Sequence, residues 1–163
     1  MHLLVNHFAA LGHRHIGIIA PPDDLMFGKL RIEGFHSAMT GLGLDVNSAW
    51  IVTGDMTQRS GAEAVTQLLS CPAQPTAIIA GNDLMAIGAM SHLQQQGYEV
   101  PRDFSIGGFD DIPPAAHTNP PLTTIHQPIY RIARTICEML IQMLNDKLIA
   151  ERQVLLTLSL IHI

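Results

Sequence analysis

Residues 76–97 read TAIIAGNDLMAIGAMSHLQQQG, and the fold class turns on them. Thr76 to Ala80 is a short run of β-branched and small residues without polar alternation, the pattern of a strand buried on both faces. Ala86, Ile87, Ala89, Met90 and Leu93 then recur at helical spacing, and Gly97 is a natural left-handed stop. Gly81, Asn82 and Asp83 stand between the two. A doubly buried strand leading straight into such a helix is half of a right-handed βαβ unit, which predicts a parallel sheet.

Working outward, the same alternation recurs. Ile16 to Ala20 (IGIIA), Trp50 to Thr53 (WIVT) and Phe104 to Gly107 (FSIG) are further buried-strand runs. Helical spacing links Phe27, Leu30, Gly34, Phe35, Ala38 and Leu42, and again Ala62, Val65, Leu68 and Leu69. Leu3 to Leu11 predicts a helix that stops at Gly12. Asp110 to Pro121 reads as a loop, and Thr123 to Gln127 as extended. Pro128 suits the first position of a helix, whose stripe is Ile129, Ile132, Ala133, Ile136, Leu140, Met143 and Leu144. Val154 to Leu158 reads as a last strand.

Composition bounds the function. The 163 residues are 47% apolar and 14% charged, enough to form a core and against general disorder. Net charge is −5 with no basic stripe, which argues against direct binding to a nucleic-acid backbone. Aromatics, at 5%, are too sparse for a stacking platform on single strands. Cys71 and Cys137 lie far apart, against a disulfide scaffold. No apolar run reaches membrane-spanning length. A Walker loop, a GxSxG elbow and an HExxH motif are all absent, so neither an enzyme nor a metal site is expected, and no cofactor. Gly41-Leu42-Gly43 follows a helix and lacks the third glycine of a dinucleotide fingerprint. The nine histidines are scattered.

In an open parallel sheet, ligands bind outside the carboxyl ends of the strands. The polar residues that follow the four runs are Asp23 and Asp24, Asp55, Asn82 and Asp83, and Asp110 and Asp111. They form an acidic, amide-bearing rim, with Arg31 a cation nearby. Such a rim suits a polyhydroxylated ligand: carboxylates accept from paired hydroxyls, Asn does both, and Arg donates in a fork. Each feature also has a plainer reading. Asn82 or Asp83 serves as a helix cap, one of Asp110 and Asp111 as a turn residue before Pro113 and Pro114, and Arg31 as a solvated helix face.

Several blocks then follow one order: Leu11-Gly12-His13-Arg14-His15-Ile16, Arg31-Ile32-Glu33-Gly34-Phe35, the stretch from Ala80 to Ala89, Val100 to Ile112, and Pro120 to Pro128. In that order and spacing the chain resembles the C-terminal part of a lactose-repressor/galactose-repressor (LacI/GalR) family transcription regulator, from its start to about Leu158. The resemblance implies a periplasmic-binding-protein-like α/β fold of type I. It implies mostly the C-terminal lobe, a parallel three-layer α/β/α arrangement. It also implies a small-molecule effector, usually a sugar or nucleobase, and a cytoplasmic homodimer that grips operator DNA through an N-terminal helix-turn-helix.

Carried over by position, Arg31, Asn82 and Asp110 resemble the polar ligand contacts of that lobe, and Gln127 a further residue where the chain crosses between lobes. Met56 stands where relatives often place a stacking aromatic, which argues against simple stacking on a sugar face. The helix from Asp83 to Gln96 and the loop from Pro113 to Asn119 resemble part of a dimer surface. The expected organisation is 1–126 as the C-terminal lobe and 127–150 as a returning helix that packs on the other lobe. Residues 151–163 are expected as a final strand with an atypical tail, LSLIHI. The helix-turn-helix and most of the first lobe are expected to lie outside the chain. A periplasmic sugar-binding protein of an ABC transporter shares this architecture, but GFDDI (108–112) and PPLTTI (120–125) favour the regulator; a doubly wound enzyme is the more distant alternative.

Overall fold

A computed structural model describes residues 1–145 and 153–161. Helix α1 spans His2–Ala10, strand β1 Ile16–Ala20 and helix α2 Met26–Gly41. A short 3-10 turn, Ser48–Trp50, leads into β2, Ile51–Thr53, and then α3, Gln58–Leu69. Strand β3 is Ala77–Ala80, α4 Asp83–Gln95 and β4 Ser105–Asp110. A 3-10 turn at Pro113–His117 precedes β5, Thr123–His126; α5, Ile129–Leu144, and β6, Ser159–Ile161, complete the order.

The six strands form one sheet in the order β2-β1-β3-β4-β5-β6. The first five are parallel, as the βαβ pattern requires, and β6 closes the edge antiparallel to β5. Residues on successive positions of β1 and β3 serve opposite faces. Ile19, Ile78 and Ala80 join Val65, Leu68, Met85 and Leu93 from α3 and α4 on one side. Ile16, Ile18, Ala77 and Ile79 join Leu4, Phe8, Phe35 and Met39 from α1 and α2 on the other. Both faces of each strand are therefore apolar because both are covered, which is why the runs show no alternation.

Helix α5 differs. Its apolar stripe is strong, yet none of its residues is fully buried. Ile136, Leu140 and Ile141 are each more than half exposed. A fully buried Leu such as Leu93 contributes about 1.5–3 kcal/mol; most of the α5 stripe forgoes that gain in this chain.

Three local expectations need correction. Pro128 is the N-cap of α5 and not its first helical residue, because its ψ of 67 leaves the helical range. Pro113–His117 forms a 3-10 turn within the expected loop. The last strand is Ser159–Ile161 and not Val154–Leu158. The register explains the shift: Ser159 pairs with His126, where β5 ends, so the residues before Ser159 have no strand edge left to pair with. Val154, Leu156 and Leu158 instead line a groove with Ile132, Ile136 and Met139 of α5. Asp146, the expected end of the helix, and the last residues of the tail lie outside the described residues.

Candidate functional site

Parallel strands bring the loops after β1, β2, β3 and β4, and the exit of β5, to one edge of the sheet. The candidate residues lie there in two linked groups.

The first group is Arg31, Asp110 and Gln127. Arg31 projects from α2 between two rings, its guanidinium carbon 5.0 Å from the Phe27 centroid and 4.1 Å from that of Phe109. Phe27 lies one turn before it on the same helix, so helical geometry delivers one half of the sandwich. The other half comes from the end of β4. Arg31 Nη2 is 3.8 Å from Asp110 Oδ1, an ion pair too long to be a good hydrogen bond. Gln127 Nε2 donates to the same Asp110 oxygen at 2.5 Å. Arg31 Nη1 is buried with no hydrogen-bond partner.

Burial lowers the Arg31 pKa against the opposing pull of Asp110. Burial likewise raises Asp110, against the Gln127 hydrogen bond and the Arg31 charge. Both partners are thus pushed toward their neutral forms. Desolvation outweighs a 3.8 Å attraction, so each charge retains unmet demand for polar contact.

The second group is Asn82 and Met56. Asn82 is the N-cap of α4: its Oδ1 accepts from Met85 N–H at 2.9 Å. Its Nδ2 donates to the Met56 carbonyl at 3.0 Å. The capping reading of Asn82 is therefore realised, and one amide hydrogen remains for another partner. Met56 sits in a left-handed conformation, φ 74, on a loop knotted by short-range hydrogen bonds. Asp55 accepts from Thr57 N–H and hydroxyl, and Ser60 Oγ accepts from Asp55 N–H. Hydrogen bonds from Thr57, then Ser60, hold the exposed Asp55 carboxyl down to about 2.

Backbone strain concentrates at this edge. Among the described residues, the non-glycine ones with positive φ are Met56, Asp110 at 129 and Asp111 at 61, at the end of β4 or on the loops that follow strands. Such conformations cost about 1–3 kcal/mol each and persist where surrounding contacts over-determine them. A concavity of about 750 Å³ opens beside the second of these turns, lined by residues 110–113 and 126–131.

Sequence reading assigned Asp83 to a cap or the rim; the structure gives it a buried place between the two groups. Asp111 and His126, seen only as rim and scattered histidine, meet at 2.7 Å. Asp23 and Asp24 stay exposed in the loop after β1. Among the described residues no three His, Cys, Asp or Glu side chains cluster to hold a metal, and no helix is long and apolar enough to cross a membrane.

Comparison with known proteins follows the same outline. The family described as periplasmic binding protein-like domain matches residues 5–162. The HTH-type transcriptional repressor PurR of Photobacterium profundum is 38% identical over 146 residues, covering 90% of this chain and 44% of that protein. A LacI-family regulatory protein from Chloroflexus aggregans superposes with a TM-score of 0.93 at 34% identity, over 98% of this chain and 57% of the other. The transcriptional regulator CelR in complex with cellobiose gives a TM-score of 0.93 at 28% identity, over 99% and 49%. This chain therefore spans less than half the length of the curated relative.

Proposed function

This chain belongs to the periplasmic binding protein-like domain family, in its LacI-family branch, and from that premise we propose that it forms one jaw of an effector-responsive transcriptional repressor. The effector is a small hydroxyl-rich molecule such as a sugar or nucleoside. Asp110 accepts from its hydroxyls, Arg31 and Gln127 donate to its oxygens, Asn82 offers its remaining amide hydrogen, and Met56 packs on its apolar face. The observation that carries this reading is the Arg31–Asp110–Gln127 group, joined at the carboxyl edge of the sheet, with both charges under-solvated.

The architecture supports the rest of the reading. A second jaw, packed on the exposed stripe of α5, completes the burial of the ligand, so residues 1–126 act as the lobe and α5 as the returning helix. Closure on the ligand then shifts the population of one inter-lobe arrangement. The complete repressor is a cytoplasmic homodimer, with operator DNA held by a separate helix-turn-helix segment. With one jaw the chain binds weakly, at millimolar concentrations, and with a net charge of −5 it leaves operator DNA alone.

The test is an NMR titration of the chain with cellobiose, D-ribose and adenosine. At least one of them should shift the resonances of Arg31, Asp110 and Gln127 together, and Asp110→Asn should abolish that shift. Silence of all three residues toward every probe would overturn the reading.

A further inference from the structure

Asp83 is the first residue of α4 and is fully buried. Its carboxylate joins two other parts of the fold, β5 and the turn after β4. Oδ1 accepts from the Thr124 hydroxyl of β5 at 2.5 Å. Oδ2 accepts from Ile112 N–H at 2.9 Å. Gly108 of β4 leaves room for it: a Cβ there would come within 2.2 Å of Oδ1. That backbone donor belongs to the turn in which Asp110 and Asp111 hold positive φ. One residue earlier, Asn82 grips the carbonyl of Met56, the other left-handed residue of this edge. The Asn82-Asp83 dipeptide thus anchors both strained loops to a single helix start.

We propose that Asp83 is a positioning residue for the effector site: its carboxylate holds the 110–112 turn in its left-handed course and so aims Asp110 at Arg31 and Gln127. The chemistry suits the task. A carboxylate is acceptor-only and satisfies converging N–H and O–H donors at once; an amide in its place has one acceptor oxygen and cannot accept from both. Burial raises the Asp83 pKa, opposed by the hydrogen bonds from Thr124 and Ile112 and assisted by the Asp111 charge. The titratable groups around it are Asp110 and Asp111, with Arg31 facing the first and His126 the second. The proposal rests on the effector reading for the purpose of the turn, and on geometry for its hold on the turn.

The experiment needs no effector. Hydrogen exchange of the full chain is compared between wild type and Asp83→Asn. The Ile112 amide should exchange about tenfold faster or more, while Ile78 and Ile106 in the central strands keep their protection. An acid titration of the wild type supplies the second measurement. The Ile112 amide proton should move with the Asp83 carboxyl carbon, at a midpoint above the ordinary carboxylate value. Unchanged exchange at 112, equal losses across the sheet, or an amide proton that follows the Asp110 or Asp111 carboxyl would each overturn the proposal. Failure of the ligand titration would instead sink the effector reading and leave the hold of Asp83 on the turn standing.

Discussion

At the amino edge of the sheet, His13 commits both ring nitrogens, one to Thr76 Oγ1 and one to Ser105 Oγ, each at 2.9 Å. At the carboxyl edge, Arg31 has a buried nitrogen without a partner and meets Asp110 at only 3.8 Å. Among the described residues, the amino edge carries no non-glycine residue with positive φ, whereas the carboxyl edge carries three. His13 ties the entries of β1, β3 and β4 with ordinary hydrogen bonds, and its geometry is complete without any further molecule. The opposite edge is held by buried groups yet leaves two charges poorly compensated. The contrast separates a part of the fold whose polar groups serve stability from one whose polar groups stand ready for something else.

The comparison can be broken by substitution. The largest effect is expected for Gly108→Ala, which drives a methyl to within 2.2 Å of Asp83 Oδ1 and 2.9 Å of Leu122. Overpacking of that severity should cost about 3 kcal/mol in urea unfolding; a cost well under 1 kcal/mol would mean that the carboxyl edge is not held tightly at all. His13→Ala comes next. It leaves the buried Ser105 hydroxyl without its partner and should cost about 1 kcal/mol.

Arg31→Met should change stability by less than about 1 kcal/mol, because the lost 3.8 Å attraction to the part-exposed Asp110 is offset by relief of the guanidinium's desolvation. If the effector reading holds, the same variant should weaken binding about tenfold or more. A large loss of stability without ligand would move Arg31 to the class of His13. The smallest effect is one of pH. Burial, and then the nearby charge of His7, lower the His13 pKa below 6.5. The unfolded state therefore takes up a proton first. This contribution to stability is complete above pH 6.5 and is lost as pH falls through the folded-state value. Urea midpoints measured from neutrality to about pH 5 should fall more in wild type than in His13→Asn.

Much of the fold was legible because it rests on local, one-dimensional patterns. Runs such as IGIIA and AIIA have no polar alternation to orient, so they fit only a sheet covered on both sides. Asn82 before a helical stripe and Gly97 after it marked α4, and Gly97 does take φ 90. The strand at Ser159–Ile161 was not legible. Its place depends on where β5 runs out of pairing partners, which no periodicity in VLLTLSLIHI records. The stripe of α5 was legible as a helix face, and whether anything covers it is a property of the surroundings.

The candidate site divides in the same way. The polar residues at strand ends could be collected from topology alone. Phe27 lies four residues before Arg31, so half of its aromatic sandwich was visible as helical spacing. Asp83 was not, since its partners at 112 and 124 are far away in sequence and meet only through the sheet. Nothing in the string separates an aspartate that caps a helix from one that pins a turn.

In the proposed site, Met56 bears on discrimination between ligands. Its carbonyl is pinned by Asn82, while its side chain is unbranched, polarisable and only half-buried. A flat ring in that position would select for outline. A thioether on three rotatable bonds adapts to ligands of different profile and rejects few of them. In the proposed site, selectivity then falls to the donors and acceptors of Arg31, Asp110 and Gln127. A series of stereoisomers should be ranked by which hydroxyls they present and only weakly by bulk on the Met56 side.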